Sequence, residues 1–166
     1  MKLAGKIKLG HRVVVSDPCY QKGVWCAGTL DNVKPGLYEV EVSYMDCGNW
    51  GRRVSMIKVL HEDYSGIPVG FNDTGQFEVG VDSGCAGIYD AEYFDKYHVS
   101  EVDNEWLEMA FEATDGKDRC GTLDDMCVIS ASGFGDGGYE CYITRDRKDR
   151  IISIGIVFIT PDDVEE

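Results

Sequence analysis

The most regular stretch of the chain is "LYEVEVSY", residues 37–44, where Tyr38, Val40, Val42 and Tyr44 alternate with Glu39, Glu41 and Ser43. A period of two sends successive side chains to opposite faces, so the segment is predicted to be a strand with one covered and one wet face. "HRVVVSD" (11–17) is a shorter β-branched run stopped at Asp17-Pro18, and "VWCAGTL" (24–30) reads as another strand. "DCGNWGRR" (46–53) has the composition of a hairpin loop and feeds "VSMIKVL" (54–60). A Gly-, Asp- and Pro-rich loop, "HEDYSGIPVGFNDTG", precedes "QFEVGVDSGCAGIYD", which reads as two short strands broken at Asp82-Ser83-Gly84. Toward the C-terminus, Val128 to Ser130 form a short strand before a glycine loop. Tyr139, Cys141 and Ile143 then alternate with Glu140, Tyr142 and Thr144. A charged turn, "RDRKDR", leads to "IISIGIVFI" (151–159), apolar on both faces as a central or doubly covered strand would be.

Helical signals are confined to one region. Asp90 is placed to cap a brief helix "AEYFDKY". In "SEVDNEWLEMAFEAT", Ser100 and Asp103 have capping-box spacing, and Trp106, Met109 and Ala110 fall at i, i+3 and i+4. "DGKDRCGTLDD" reads as loop, and no repeat, linker or low-complexity block is present. The pattern predicts one α+β domain over residues 1–166, mainly antiparallel sheet, sandwich-like or curved, with one or two helices in the 90–113 region. The acidic end "PDDVEE" (161–166) is expected to fray.

Length agrees with this, since 166 residues fit one domain able to bury roughly 70% of its unfolded surface. Charge changes the picture more. Thirty acidic residues against 16 basic ones leave a net charge of −14, a field that repels nucleic acid and anionic membranes. The partner expected instead is a protein with a basic surface. No apolar run reaches membrane-spanning length, and the lysine-bearing "MKLAGKIKLG" lacks the apolar centre of a signal peptide, so a cytoplasmic location is expected. Seven cysteines are scattered, odd in number and never in C-x-x-C spacing, which favours free thiols over disulfides or structural zinc.

Several motifs invite chemistry. Gly133, Gly135 and Gly138 in "SGFGDGG" complete G-x-G-x-x-G, but a strand follows where a dinucleotide site needs a helix. A kinase-type loop fails at Glu140, and no Gly-Lys-Ser/Thr is present. EF-hand spacing fails from both Asp82 and Asp115. An irregular metal or ligand site gathering Asp17, Asp82 and Asp136, with Asp90 as a further candidate, stays open against the plainer reading of aspartates capping their own turns. Cys85, with small neighbours, could be reached by a ligand, and Cys19 is a second candidate thiol, yet neither precedes a helix whose N-terminus would lower its pKa. Of the aromatics near turns (Tyr20, Trp25, Trp50 and Tyr139), Trp50 is the best contact candidate, and Trp25 is expected at the edge of the core.

"VSDPCY", "WCAG", "HEDY", "VDSGCAGIYD" and "SGFGDGGYECY" together resemble uncharacterised small proteins of bacteriophages and bacteria. The C-terminal part is similar to a wider bacterial domain of unknown function, with a Gly-Asp-Gly loop, a Tyr-led strand, a charged turn and a final apolar strand. The turn "RDRKDR" departs from the D-x-x-G hairpin expected there. The resemblance implies a single domain and suggests a phage or bacterial cytoplasm, and it supplies no catalytic residues. The function expected is therefore a non-enzymatic acidic binding protein engaging a host or phage protein, for example as an inhibitor of a nucleic-acid-binding enzyme. The alternative is a small-ligand or metal sensor, or an enzyme, using Asp17, Cys19, Asp82, Cys85 and Asp136. Trp50 and Tyr139 are further contact candidates, and no cofactor is expected.

Overall fold

The computed structural model describes residues 2–21, 23–71, 76–98 and 102–164. Among them are eleven strands: β1 (Lys2–Leu9), β2 (Val13–Ser16), β3 (Gly28–Leu30), β4 (Gly36–Asp46), β5 (Arg52–His61), β6 (Phe77–Val81), β7 (Cys85–Asp90), β8 (Cys120–Leu123), β9 (Cys127–Ala131), β10 (Gly137–Arg145) and β11 (Ile151–Val157). Two helices, α1 (Ala91–His98) and α2 (Asn104–Thr114), lie between β7 and β8. The strands form a six-stranded sheet, β1-β4-β5-β11-β10-β6, and a five-stranded sheet, β3-β2-β7-β9-β8. Every ladder in both is antiparallel. This is the α+β, sandwich-like architecture that the alternation predicts.

The sheets face each other across one core. Tyr38, Val40 and Val42 of β4 and Ile154 and Ile156 of β11 meet Val13, Val15, Ala86, Ile88 and Val128 of the smaller sheet. The opposite face of the smaller sheet carries Val14, Tyr89, Cys127 and Ile129, which pack under Phe94, Trp106 and Ala110 of the two helices. "VVVS" is therefore apolar on both faces for a reason: β2 is covered by the other sheet on one side and by helices on the other. The wet face predicted for β4 is partly roofed. The Lys58 ammonium lies 3.9 Å from Glu41 and donates to the Val69 carbonyl, while Phe71 stacks on Tyr142 and rests on Gly155.

Two strands lie where no strand was expected. β1 pairs along β4, burying Ile7 and Leu9 and exposing Lys6 and Lys8, a short alternation that also guards the sheet edge with charge. β8 falls inside "DGKDRCGTLDD"; it is only half-buried and forms because β9 offers a free edge. Conversely, residues 24–27 turn, with Ala27 N donating to Val24 O, so β3 begins only at Gly28. Asp90 caps α1 as expected, accepting from Tyr93 N at 3.4 Å, and its other oxygen accepts from Gly10 N at 2.8 Å. Asp103 caps α2 by accepting from Glu105 N, whereas Ser100 lies outside the described residues. The acidic end begins with one 3-10 turn, Pro161–Asp163, held by a Thr160–Asp163 capping box; Glu165 and Glu166 lie outside the described residues.

Candidate functional site

Asp17 ends β2 and opens a tight turn with proline at its second position, closed by Tyr20 N on Asp17 O at 3.2 Å. Its side chain is wholly buried. One oxygen accepts from Cys19 N and Ser83 Oγ, the other from Asp82 N and Ser83 N, all at 2.8 Å. Four donors saturate the carboxylate, which ties the β2–β3 loop to the Asp82–Gly84 turn between β6 and β7. The third loop is fastened to the same turn by Ser132 N on Gly84 O at 3.0 Å. The three loops proposed from sequence therefore meet at one end of the sandwich. Asp17 is their internal knot and not a ligand-facing group.

Helices fix the knot from behind. Trp106 Nε1 donates to Pro18 O at 2.9 Å, and the buried His98 ring places Nε2 3.0 Å from the same oxygen and Nδ1 2.7 Å from Phe94 O. His98 stacks flat on Phe94 with ring centroids 3.7 Å apart. Burial holds the His98 pKa below its ordinary value, although both carbonyls pull the other way.

Above the knot lies an open groove of about 810 Å³ lined by Tyr20, Trp25, Glu78, Asp82, Asp136 and the glycines at 137 and 138. Register explains its acidity. The β6–β10 ladder ends at the pair Gly137–Val81, so Asp136 and Asp82, the next residue on each strand, leave the sheet at the same place and both line the groove. Glu78 lies across bare Gly138, where a Cβ would collide with its carboxylate. Tyr20 donates to Asp82 Oδ2 at 2.7 Å, and its hydroxyl pKa is raised by desolvation and then by that carboxylate. Trp25, expected at the edge of the core, is instead 93% exposed. The turn at 24–27 throws it outward, because Cys26 takes the inward position, buried with its carbonyl accepting from Gly80 N. No basic side chain is among the described residues lining this groove.

The remaining sequence candidates are placed elsewhere. Cys85 lies in β7 facing the helices, buried, with its sulfur 3.6 Å from Thr114 Oγ1 and its pKa raised by desolvation. Cys19 is half-buried beside the knot, and desolvation together with Asp17 pushes its thiol up to about 12. Neither has the stabilised thiolate that nucleophilic chemistry needs. Tyr139 braces the glycine loop, donating to Gly135 O at 2.6 Å, where Ser132 Oγ also donates. Trp50 is 69% exposed but belongs to a separate cleft. Among the described residues, no group of three or more His, Cys, Asp or Glu side chains is arranged to hold a metal ion. The glycine run turns a corner into β10 as its context predicts, with Gly133 at φ 71° and Gly135 at φ 111°.

A second cavity, of about 690 Å³, opens at the far end of β2, where charges of both signs, among them Lys8, Arg12, Asp31 and Glu92, are mixed. Arg12 pairs with Asp31 at 2.9 Å, and Asp90 is used in capping.

The sequence from residue 9 to residue 156 matches the family described as proteins of unknown function, DUF4241. The chain belongs to this DUF4241 family. The matched span contains the knot, both helices and every groove residue, so the architecture just described is that of the DUF4241 domain in this chain. Neither a curated protein nor a solved structure matches the chain. None of its described helices is long and apolar enough to cross a membrane.

The sequence offers Asp82 and Asp136 as candidates for one site and gives no reason to add Glu78. Glu78 has no signal in the sequence: it stands opposite Glu140 in the β6–β10 ladder and reaches over Gly138 only because these two strands pair. Trp25 has no signal either, since only the tertiary position of Cys26 decides which way the turn faces.

Proposed function

We propose that this DUF4241 protein is a non-enzymatic acidic binding protein whose groove takes an ammonium or guanidinium group presented by a basic protein partner. The carrying observation is the almost fully exposed Trp25 beside the carboxylates of Glu78, Asp82 and Asp136. An indole face next to clustered negative charge is a recognition surface for a cation, each element contributing without the other's geometry. The net charge of −14 supports a basic protein and disfavours nucleic acid and anionic membrane. The raised thiol pKa values of Cys19 and Cys85 support binding over covalent catalysis, and the reading requires no cofactor. A phage or bacterial cytoplasm, with a cationic host or phage protein as target, is the setting in which such a surface would act.

Isothermal titration with the peptide acetyl-Gly-Lys-Arg-Lys-Gly-amide tests this. One saturable site is expected at low salt, weakening as salt rises. Trp25→Ala should weaken it roughly 2- to 30-fold, the range set by cation–π energies. Asp82→Asn with Asp136→Asn should weaken it about tenfold or more, and Asp149→Asn on the distant β10–β11 turn should not. Absence of saturable binding, or unchanged affinity in both groove variants, overturns the proposal.

A further inference from the structure

The glycine loop that borders the acidic groove has a second side. Beyond it lies a cleft of about 240 Å³ lined by Trp50, Arg52, Arg53, Arg119 and Gly133. The concentration of guanidinium groups is unexpected in a chain with almost two carboxylates per cation. Of the four arginines elsewhere, three meet carboxylates: Arg12 meets Asp31 at 2.9 Å, Arg145 meets Asp149 at 3.9 Å and Arg150 meets Asp146 at 3.0 Å, and Arg147 lies on the charged turn with the last two. Among the described residues, none of the three cleft arginines is paired with a carboxylate. Asp46, opposite Arg52 in the ladder, accepts from Gly48 N at 2.9 Å, and Asp118, which feels the Arg52 charge without pairing with it, holds Lys2 at 2.7 Å.

Each guanidinium is nonetheless positioned. Arg53 donates through Nε to Trp50 O at 2.8 Å and through a terminal nitrogen to Gly133 O at 3.4 Å, bridging the β4–β5 loop and the glycine loop. Arg52 lies on the Tyr44 ring, 3.6 Å from its centroid, a contact that covers the cation's face and leaves its N–H edge for in-plane acceptors. Arg119 sits in the left-handed region at φ 59°, its backbone fixed by Gly116 O and by Ala131 N, with the side chain exposed. At the mouth, Trp50 and Phe134 meet edge to face at 6.4 Å and remain 69% and 46% exposed.

We propose that this cleft is an oxyanion site: Arg52, Arg53 and Arg119 bind a carboxylate or phosphate, and Trp50 with Phe134 bind an apolar or aromatic body attached to it. Guanidinium forks match the planar carboxylate and the phosphate edge, and the volume suits a side-chain-sized group. The site shares no lining residue with the acidic groove, so it stands whether or not that groove binds cations.

Calorimetric titration of the full chain with phenyl phosphate, phenylacetate and inorganic phosphate tests it, the first two separating phosphate from carboxylate as the preferred head. At least one aromatic probe is expected to bind one equivalent, with a dissociation constant below about 5 mM that rises with salt. Arg52→Gln combined with Arg119→Gln should weaken it about tenfold or more. Trp50→Ala should weaken the aromatic probes while leaving inorganic phosphate unchanged. Both arginines are exposed; if the double variant loses its far-UV spectrum, the single variants and the salt series decide instead. No binding of either aromatic probe at about 20 mM, or unchanged affinity without the two arginines, overturns the proposal.

Discussion

Asp17→Asn tests the knot beneath the groove. The substitution preserves volume and keeps one oxygen, which can still accept from two of the four donors. In its better orientation the amide keeps its oxygen on Asp82 N and Ser83 N and turns its nitrogen toward Ser83 Oγ, which can rotate to accept, and toward Cys19 N, which is left unpaired. A hydrogen bond to a charged group contributes about 1.5–3 kcal/mol, and a buried donor left unpaired costs about 1–3 kcal/mol. One donor is left unpaired and the remaining bonds lose the charge; removing a charge from a fully buried site offsets part of the loss. The net cost is about 3 kcal/mol, a large share of the roughly 5–15 kcal/mol that holds a domain folded. With a urea m-value of about 2 kcal/mol/M, the midpoint should fall by about 1.5 M. Urea unfolding followed by tryptophan fluorescence and far-UV circular dichroism together measures it. Ser83→Ala removes one hydroxyl donor and should cost only about 1 kcal/mol. Because both act on one carboxylate, the double variant should cost less than the sum of the singles. A loss under about 1 kcal/mol for Asp17→Asn, or strict additivity with Ser83→Ala, would refute the four-donor geometry.

Two further outcomes are expected. The His98 ring is buried and its folded pKa lies below the unfolded value of 6.5, so the unfolded chain binds the proton first. Its contribution to stability is therefore complete above about pH 6.5 and is lost as pH falls toward the folded pKa. His98→Gln should flatten that part of a plot of unfolding free energy against pH, and an unchanged slope between pH 7.5 and 5.5 counts against the assignment. Gly28 lies where β3 meets Phe77 of the other sheet, and any Cβ there would enter the ring. Gly28→Ala should cost about 1–3 kcal/mol by overpacking, read as a lowered melting temperature; a neutral result would mean that the sheets separate more readily at this corner than their packing implies.

Local pattern carries much of the fold. The alternation from Tyr38 to Tyr44 and the break at Asp82-Ser83-Gly84 give β4, β6 and β7 their faces and limits. Asp90 and the Trp106–Ala110 spacing likewise mark both helices. Two strands carry no strong signal of their own: β1 exists by pairing far along the chain, Gly5 opposite Val40, and β8 is the half-buried arm of a local hairpin, Thr122 opposite Val128, whose residues do not alternate. Period-two patterning reports only the faces a segment could have.

The candidate site divides along the same line. Sequence alone marked three loops, set the net charge and showed that a strand follows the glycine run, since composition and near-neighbour chemistry do not depend on the fold. Tertiary structure decided the rest. It buried Asp17 under four donors, turned Cys85 toward the helices, and brought Glu78, Asp82 and Asp136 beside an outward Trp25. It also collected Arg52, Arg53 and Arg119 from two distant segments on the far side of one loop. Those roles rest on which face of a sheet a side chain meets and which segment lies opposite. Both are consequences of long-range pairing, and no single stretch of the chain encodes them.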